Sequence, residues 1–477
     1  MSRTRIVATI GPVSNNADTL RALRDAGMSM VRLNGSHGTL EWHEDTIALV
    51  REVLADVPIL LDIPGRKIRT TQLAHEPSFE TGDTIVLTTD TNHDGAEKVP
   101  VSYPQLHEDI RVGATILADD GTLRFTVTDV SGPDIECRAE TRGQLKSRKG
   151  INVPFVKLRT QMVTERDQRM VDFACRNEVD FIGISFVESA DHVERIRALS
   201  DSDWPRIVSK IENQGGLEYM EEIIDASDAI MIDRGDLSVE TRLEDLAVFQ
   251  KRILKAAFAQ GKPCIVATEM LHTMTENPFP TKAEVIDISN AVLDGAAATM
   301  LSGETAVGAH PVETVRVMRQ VSNSAETHLQ SNLDERSVDA TSDIPRVMGE
   351  AVALVCRSLP ITKIVAVTIS GFAARSVAAH SPRQPVIAVS RDAMAARSFN
   401  LLPGTTGVHI DTEFSKDSTD HIPYCLEQLW QRHLVDEDDL LLVTAVAYPK
   451  SGNRMNLIQT HSVRDLAETL GWNRQND

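Results

Sequence analysis

Eight short runs of β-branched and aliphatic residues recur along the chain, at Ile6–Ile10, Met30–Leu33, Pro58–Ile63, Phe181–Phe186, Ile207–Glu212, Ala229–Ile232, Cys264–Thr268 and Thr299–Ser302. Most of the intervals between them read as helices. Leu246, Phe249, Ile253, Leu254 and Ala257 fall on one helical face that stops at Gly261. Ile47, Val50 and Leu54 repeat the pattern, as do Val285, Ile288 and Val292. Strands that alternate with helices call for a parallel sheet covered on both faces, and eight of them predict an α/β protein built on a closed (β/α)8 barrel of the TIM type.

One interval breaks the rhythm. Between Ile63 and Phe181 much of the chain is strand-like, and "ILADDGTLRFTVTDV" sets Leu123, Phe125 and Val127 against Arg124, Thr126 and Thr128 after an Asp-Gly turn. This predicts a small β domain inserted after the third barrel strand, placed to close over the catalytic end as a lid. The polar run "HLQSNLDERSVDATSD" reads as a connector. Beyond it come strand-like Ile364–Thr368, a helix from Ala373 to Ala379, strand-like Val386–Val389, a helix through Ala393–Leu402 and strand-like Leu440–Ala445. The expected division is residues 1–70 and 157–335 for the barrel, 71–156 for the lid and 336–477 for a C-terminal α/β domain.

Charge and composition narrow the function. A net charge of −20 argues against a nucleic-acid surface, which needs a basic patch. No apolar run approaches the ~20 residues of a membrane span. The start "MSRTRIVATIGP" runs into a strand without a signal-peptide core, so the expected location is cytoplasmic. Five cysteines without CxxC spacing predict buried, unreactive thiols and neither disulfides nor a zinc site.

In a barrel of this kind the active site is assembled from the carboxyl ends of the strands. Those ends read "RLNGSHG", "LDIPGRKIRT", "SKIEN", "DRGDLS", "ATEM" and "LSGET", with charged or hydroxylic residues at nearly every one. Lys210 and Glu212 lie two residues apart and so share a face. Glu212 and Asp236 stand at the ends of neighbouring strands. A carboxylate pair without histidine or thiolate suits Mg2+ or Mn2+, with a helix cap or a salt bridge as the lesser alternative for either acid alone. An ammonium beside such a cation neutralises phosphoryl oxygens during transfer, which is the role predicted for Lys210. Gly235 and Asp236 open a helix and offer backbone N–H groups to an anion. Arg32 and Arg69 can fork onto phosphates or carboxylates, although a lone arginine is usually a surface ion pair.

The blocks "IVATIGP", "AGMSMVRLNGSHG", "SRKGINVP", "SKIENQGG", "RGDLSVE", "GKPCIVATEMLHTM", "AEVIDISNAVLDGA" and "MLSGETAVGAHPVETV", in this order, resemble the pyruvate kinase family. "TISGFAARSVAAHSPRQPVIAV" and "YPKSGNRMNL" resemble that family's last domain. The resemblance implies a barrel with an inserted β lid and a C-terminal α/β domain, transferring a phosphoryl group from phosphoenolpyruvate to ADP. By position it implies that Arg32 and Lys210 hold the phosphoryl group, and that Glu212 and Asp236 hold Mg2+. Gly235 and Asp236 would contact substrate, Thr268 would stand on the proton-delivery side, and Ser302 and Glu304 would lie behind it. Asn34, Gly35, Ser36, His37, Arg69 and Lys149 match the nucleotide contacts, and Asn34, Ser36 and Asp62 the monovalent-cation ligands. It also implies a homotetramer.

The chain departs from that pattern in several places. Gly35 stands where an aromatic residue is usual, Asp233 where alanine is usual, and Glu269 where glutamine is usual. Asp233 and Glu269 add negative charge near a site for an anionic substrate, which keeps open a related barrel enzyme acting on another enol or 2-oxo acid. A non-catalytic regulatory homologue is the third reading, and it does not require Lys210, Glu212, Asp236 and Thr268 together. Lys67 replaces an acidic residue, and its ammonium is predicted to stand in for K+ beside Asn34, Ser36 and Asp62, removing a potassium requirement. In the last domain Thr368, Ser370 and Gly371 match a family effector loop, but Ile369 and Ala373 replace a basic and a hydroxylic residue.

Overall fold

The computed structural model describes residues 3–156, 158–159, 161–332, 344–380, 382–414, 418–446 and 455–472. Each of the eight apolar runs forms a strand. They are β1 (Arg5–Thr9), β2 (Met30–Asn34), β3 (Ile59–Ile63), β4 (Phe181–Ile184), β5 (Arg206–Ile211), β6 (Ala229–Asp233), β7 (Cys264–Ala267) and β8 (Ala298–Leu301). The strands close into a parallel barrel in the order β1-β8-β7-β6-β5-β4-β3-β2. Strands buried on both faces explain why the runs are continuously apolar instead of alternating. Val7, Met30, Leu60, Val208, Met231 and Met300 fill the interior, and a second, larger core lies between the strands and the surrounding helices.

The helical patterns appear as Leu40–Val53, Leu246–Ala259 and Lys282–Leu293. The second ends just before Gly261, whose φ of +67° is the left-handed conformation that terminates a helix cheaply only at glycine.

The lid carries a seven-stranded sheet, a two-stranded pair and its own core around Phe79, Phe125 and Ile135. Its hairpin pairs Thr115–Ala118 with Leu123–Ser131, placing Ile116 opposite Phe125. Asp119, Asp120 and Gly121 all have positive φ in the connection, so the Asp-Gly signal marks a wider turn than two residues. The chain enters the lid sheet at Ile68–Arg69 and leaves it at Gly150–Asn152, and these two strands pair with each other, which makes a narrow double-stranded neck.

The C-terminal domain is a five-stranded sheet ordered Thr405–His409, Val386–Ser390, Lys363–Val367, Leu440–Ala445, Leu457–Ser462, with the last strand antiparallel. The two outer strands escape the sequence reading. Each lies at an edge with few buried residues, so neither shows an apolar run. The helix His421–Gln431 escapes it as well, because Pro423 reads as a breaker although proline is tolerated in a first turn. The polar connector is helical as far as Asn332. Its remainder, the expected boundary at 335–336 and the part of "YPKSGNRMNL" spanning 448–454 lie outside the described residues. Four cysteines are buried, but Cys175 is exposed near the end of the helix Glu165–Arg176, which corrects the expectation of five buried thiols. No helix among the described residues is long and apolar enough to cross a membrane.

Candidate active site

Lys210, near the end of β5, is buried in the barrel mouth with its ammonium 2.9 Å from Glu212 Oε2, 2.9 Å from Asp233 Oδ2 and 3.8 Å from Asp62 Oδ2. Burial pulls its pKa down, but the carboxylates of Asp233, Glu212 and Asp62 outweigh that and hold it well above the ordinary value. Lys210 is therefore a fixed cation. Asp233 answers it. Burial raises this carboxyl, yet the hydrogen-bonded ammonium of Lys210 drives its pKa down to about 2. Glu212 fares differently, because burial and the charges of Asp233 and Asp236 overcome the pull of Lys210 and push it up to about 8.

The two oxygens of Glu212 are held differently. Its Oε1 accepts from the Phe186 N–H at 2.7 Å, a donor aimed by the left-handed backbone of Phe186 (φ +55°) just after β4. Its Oε2 is fully buried and is met by the Lys210 ammonium at 2.9 Å and by no other donor. Carboxylate oxygens of Glu212, Asp233 and Asp236 lie within 4.8 Å of one another. An all-oxygen set of three clustered carboxylates fits a hard divalent cation. Asp233 is the member of this set that the sequence treats only as an extra charge. Its place at the end of β6, next to the strand that ends in Lys210 and Ile211, is the signal that finds it.

Arg32, on β2, is buried and forks onto Asp62 Oδ2 at 2.7 and 2.9 Å, while its Nη1 donates to Thr9 Oγ1 at 3.0 Å. Asn34 and Asp62 are register partners across β2 and β3, so these two members of the expected monovalent-cation group are adjacent, with Ser36 N–H donating to Asn34 Oδ1. Lys67 is placed elsewhere. Its ammonium is 2.6 Å from Asp236 Oδ1 and 3.7 Å from Asp120, and none of its hydrogen bonds or ion pairs is with Asn34, Ser36 or Asp62. Lys67 follows the tight turn at Gly65, which carries its stem toward the carboxylate cluster instead of back to β2. Burial lowers its pKa, but Asp236 reverses the sign and leaves it raised.

On the other side of the mouth Thr268 and Glu269 follow β7 with φ of +69° and +53°. A β-branched residue in this region stores strain of about 1–3 kcal/mol, and such strain concentrates at functional sites. Thr268 Oγ1 accepts from the Gly235 N–H at 2.8 Å, so that donor reaches a substrate only by leaving the threonine. Glu269 is exposed. Glu304 accepts from the N–H groups of Ser302 (2.7 Å) and Leu271 (3.2 Å), tying the loops after β7 and β8 together. Ser302 Oγ is buried without a partner.

The loop after β2 carries Gly35, Ser36 and His37. A Cβ at Gly35 would lie 2.4 Å from the Asp62 carbonyl oxygen, so the aromatic residue usual there has no room. Arg69 comes near His37, since burial and then the charges of Arg69 and Arg32 lower the imidazole pKa. Lys149 does not join them. It is paired with Asp119 inside the lid at 2.6 Å. Glu240, which the sequence does not single out, receives the amide of Asn152 at 2.7 Å across the lid neck.

Comparison with known proteins agrees along the whole chain. Residues 1–315 match the family described as pyruvate kinase, barrel domain, and residues 347–461 the one described as pyruvate kinase, alpha/beta domain. A pyruvate kinase of Geobacillus stearothermophilus is 37% identical over 477 residues, covering 97% of this chain and 81% of that one. One from Bacillus licheniformis is 36% identical over 482 residues, covering 98% and 81%. One from Clostridium perfringens is 37% identical over 414 residues, covering 84% and 87%.

Proposed function

The chain belongs to the pyruvate kinase family, and from that premise we propose that it transfers a phosphoryl group from phosphoenolpyruvate to ADP, giving pyruvate and ATP. The observation that carries this reading is Lys210, an ammonium held charged among Glu212, Asp233 and Asp62 in the same mouth as Arg32. The phosphorus–oxygen bond to the enol breaks and one to the terminal oxygen of ADP forms. Arg32 and Lys210 neutralise the oxygens of the moving group, and Lys210 then faces the enolate. The enolate takes a proton on its methylene carbon from the side of Thr268, which Ser302 and Glu304 back. Mg2+ or Mn2+ would be held by Glu212 and Asp236 with Asp233 as a third donor, and when bound it supplies a Lewis-acidic charge for substrate oxygens. Lys67 would have to share Asp236 with that ion.

Two features weigh against a different enol or 2-oxo acid as substrate. The charge of Asp233 is already matched by Lys210, and Glu269 faces solvent. Asn34, Gly35, Ser36, His37 and Arg69 form the nucleotide side. Lys149 reaches it by leaving Asp119 as the lid turns about its neck. Potassium is not required in this reading, because Lys67 supplies a permanent cation at the carboxylate cluster and Arg32 already occupies Asp62. The assembly is a homotetramer working in the cytoplasm, which light scattering of the purified protein checks in its first part. Purified protein with phosphoenolpyruvate, ADP and Mg2+ should form pyruvate and ATP in equal amounts and stop in excess chelator. Failure to form pyruvate would sink the assignment, and full activity in chelator would sink the metal site.

A further inference from the structure

At the opposite end of the barrel a cleft of about 250 Å3 opens between the amino ends of the strands and the C-terminal domain. Lys262 stands there two residues before β7, Lys255 lies on the helix Leu246–Ala259, and Arg375 comes from the C-terminal helix Phe372–Ala379. The two acids in the wall are already engaged. Glu326 accepts the backbone N–H groups of Arg3 and Thr4 at 2.9 and 2.6 Å, and Asp294 holds Lys251 at 2.5 Å.

Three of the cations, by contrast, have no carboxylate at ion-pair distance. Lys262 donates to the carbonyls of Asp225 and Ser227, and Arg375 to the carbonyl of Ser370 at 3.1 Å. Among the described residues Lys255, Lys262 and Arg375 form no ion pair with any carboxylate, in a chain whose net charge is −20. Burial lowers the pKa of both Lys262 and Arg375; Asp228, which Arg197 and Arg206 already hold, opposes this for each, while Arg375 lowers Lys262 further and Arg206 lowers Arg375 further. Half-buried positive charge without a carboxylate is costly unless an anion supplies the balance. Apart from Arg3 and Thr4 the rest of the wall is mostly apolar, and Phe258 at its rim is 43% exposed.

We propose that this cleft binds a small phosphate monoester with a flat apolar group, its phosphate between Lys262 and Arg375 and its apolar part against Leu254 and Phe258. A dianion balances two cations in one cleft, and the guanidinium fork suits tetrahedral phosphate oxygens better than a single charge would. Clefts between domains are common ligand sites, and this one draws its cations from both. A bound ester bridges the barrel and the C-terminal domain.

Phenyl phosphate and inorganic phosphate are the probes, titrated calorimetrically into the intact protein and into the double variant Lys262→Gln/Arg375→Gln. Phenyl phosphate should bind the wild type about tenfold more tightly than inorganic phosphate, as expected for burial of the ring. The double variant should lose that site while forming pyruvate from phosphoenolpyruvate and ADP at the wild-type rate, which separates this test from any failure of the catalytic reading. Equal binding by wild type and double variant, or no binding to either, would overturn the proposal. So would equal affinities for the two probes, since the apolar wall would then play no part. If the double variant melts early, Arg375→Gln alone, with Lys262 retained, should still weaken phenyl phosphate about tenfold, and undiminished binding by it overturns the proposal equally.

Discussion

The two ends of the barrel use the same kinds of residue to opposite effect. At the amino end Asp180, just before β4, is fully buried and fully engaged. Its Oδ2 accepts from Arg51 at 2.7 Å and from the N–H of Ile59, the first residue of β3, at 2.8 Å, while Oδ1 accepts from Arg397 of the C-terminal domain at 2.8 Å. Asp228, just before β6, repeats the device with the N–H of Ile207 on β5 and with Arg197 and Arg206. At the carboxyl end Glu212, Asp233 and Asp62 crowd around a single ammonium, that of Lys210. Asp62 Oδ1 accepts no hydrogen bond, Glu212 Oε2 has only the Lys210 ammonium, and Phe186, Thr268 and Glu269 hold left-handed backbone. An acid ringed by donors fastens one strand to the next, whereas several acids sharing one ammonium leave negative charge over for a further cation. The contrast locates stability at one end and chemistry at the other.

Removing Asp180 is the strongest way to break this division. Asp180→Ala leaves Arg51 and Arg397 without their buried partner, and losing one side of such a pair costs about 3–5 kcal/mol. A urea midpoint should fall accordingly while turnover per folded molecule is kept. Lost turnover at unchanged stability would mean that the floor takes part in chemistry. Lys210→Met is the mirror experiment. Loss of a preorganised donor lowers turnover by ~10²–10³, and circular dichroism should report an intact fold. A variant with wild-type turnover would remove Lys210 from the mechanism.

Lys67→Glu sharpens the picture of the carboxyl end. It replaces the fixed cation on Asp236 with another acid, so turnover should become several-fold dependent on potassium, whereas the wild type should run equally in sodium, potassium or tetramethylammonium buffer. Strong potassium stimulation of the wild type would contradict the role given to Lys67. The smallest effect is a pH slope. Burial raises the Glu240 carboxyl, the amide of Asn152 opposes this and Asp236 adds to it, for a pKa of about 7 against an ordinary 4.5. A carboxyl with a raised folded pKa stabilises most below pH 4.5 and loses that contribution as pH rises through about 7. Glu240→Gln should therefore gain stability relative to wild type across this window, measured as melting temperature against pH. Asp228 at the floor has the opposite sign, since burial raises it but Arg206 and Arg197 prevail and lower it, so its contribution is present above pH 3.8 and fades as pH falls. A flat difference between Glu240→Gln and wild type would show that the lid neck carries no such titration.

The barrel was legible because a strand buried on both faces must be apolar along its whole length, and all eight runs appear within a residue or two of where they were read. Lys210 and Glu212 were legible for a related reason, since a period of two dictates a shared face wherever a strand forms. The lid hairpin showed through its alternation. The outer strands of the C-terminal sheet did not, because an edge buries too little to leave a pattern, as Leu457–Ser462 demonstrates.

By itself, then, the sequence determined the architecture and which strand ends bear charged side chains, because burial and periodicity are local properties written into residue order. Only the tertiary structure decided how those charges pair. Asp233 came to rest on Lys210, and Lys67 on Asp236 instead of beside Asn34 and Ser36. Lys149 stayed with Asp119, and the cations of the floor cleft met across two domains separated by more than a hundred residues of chain. Partners of this kind depend on ring closure and on how far a flexible side chain reaches from its turn, and neither is a function of spacing along the chain.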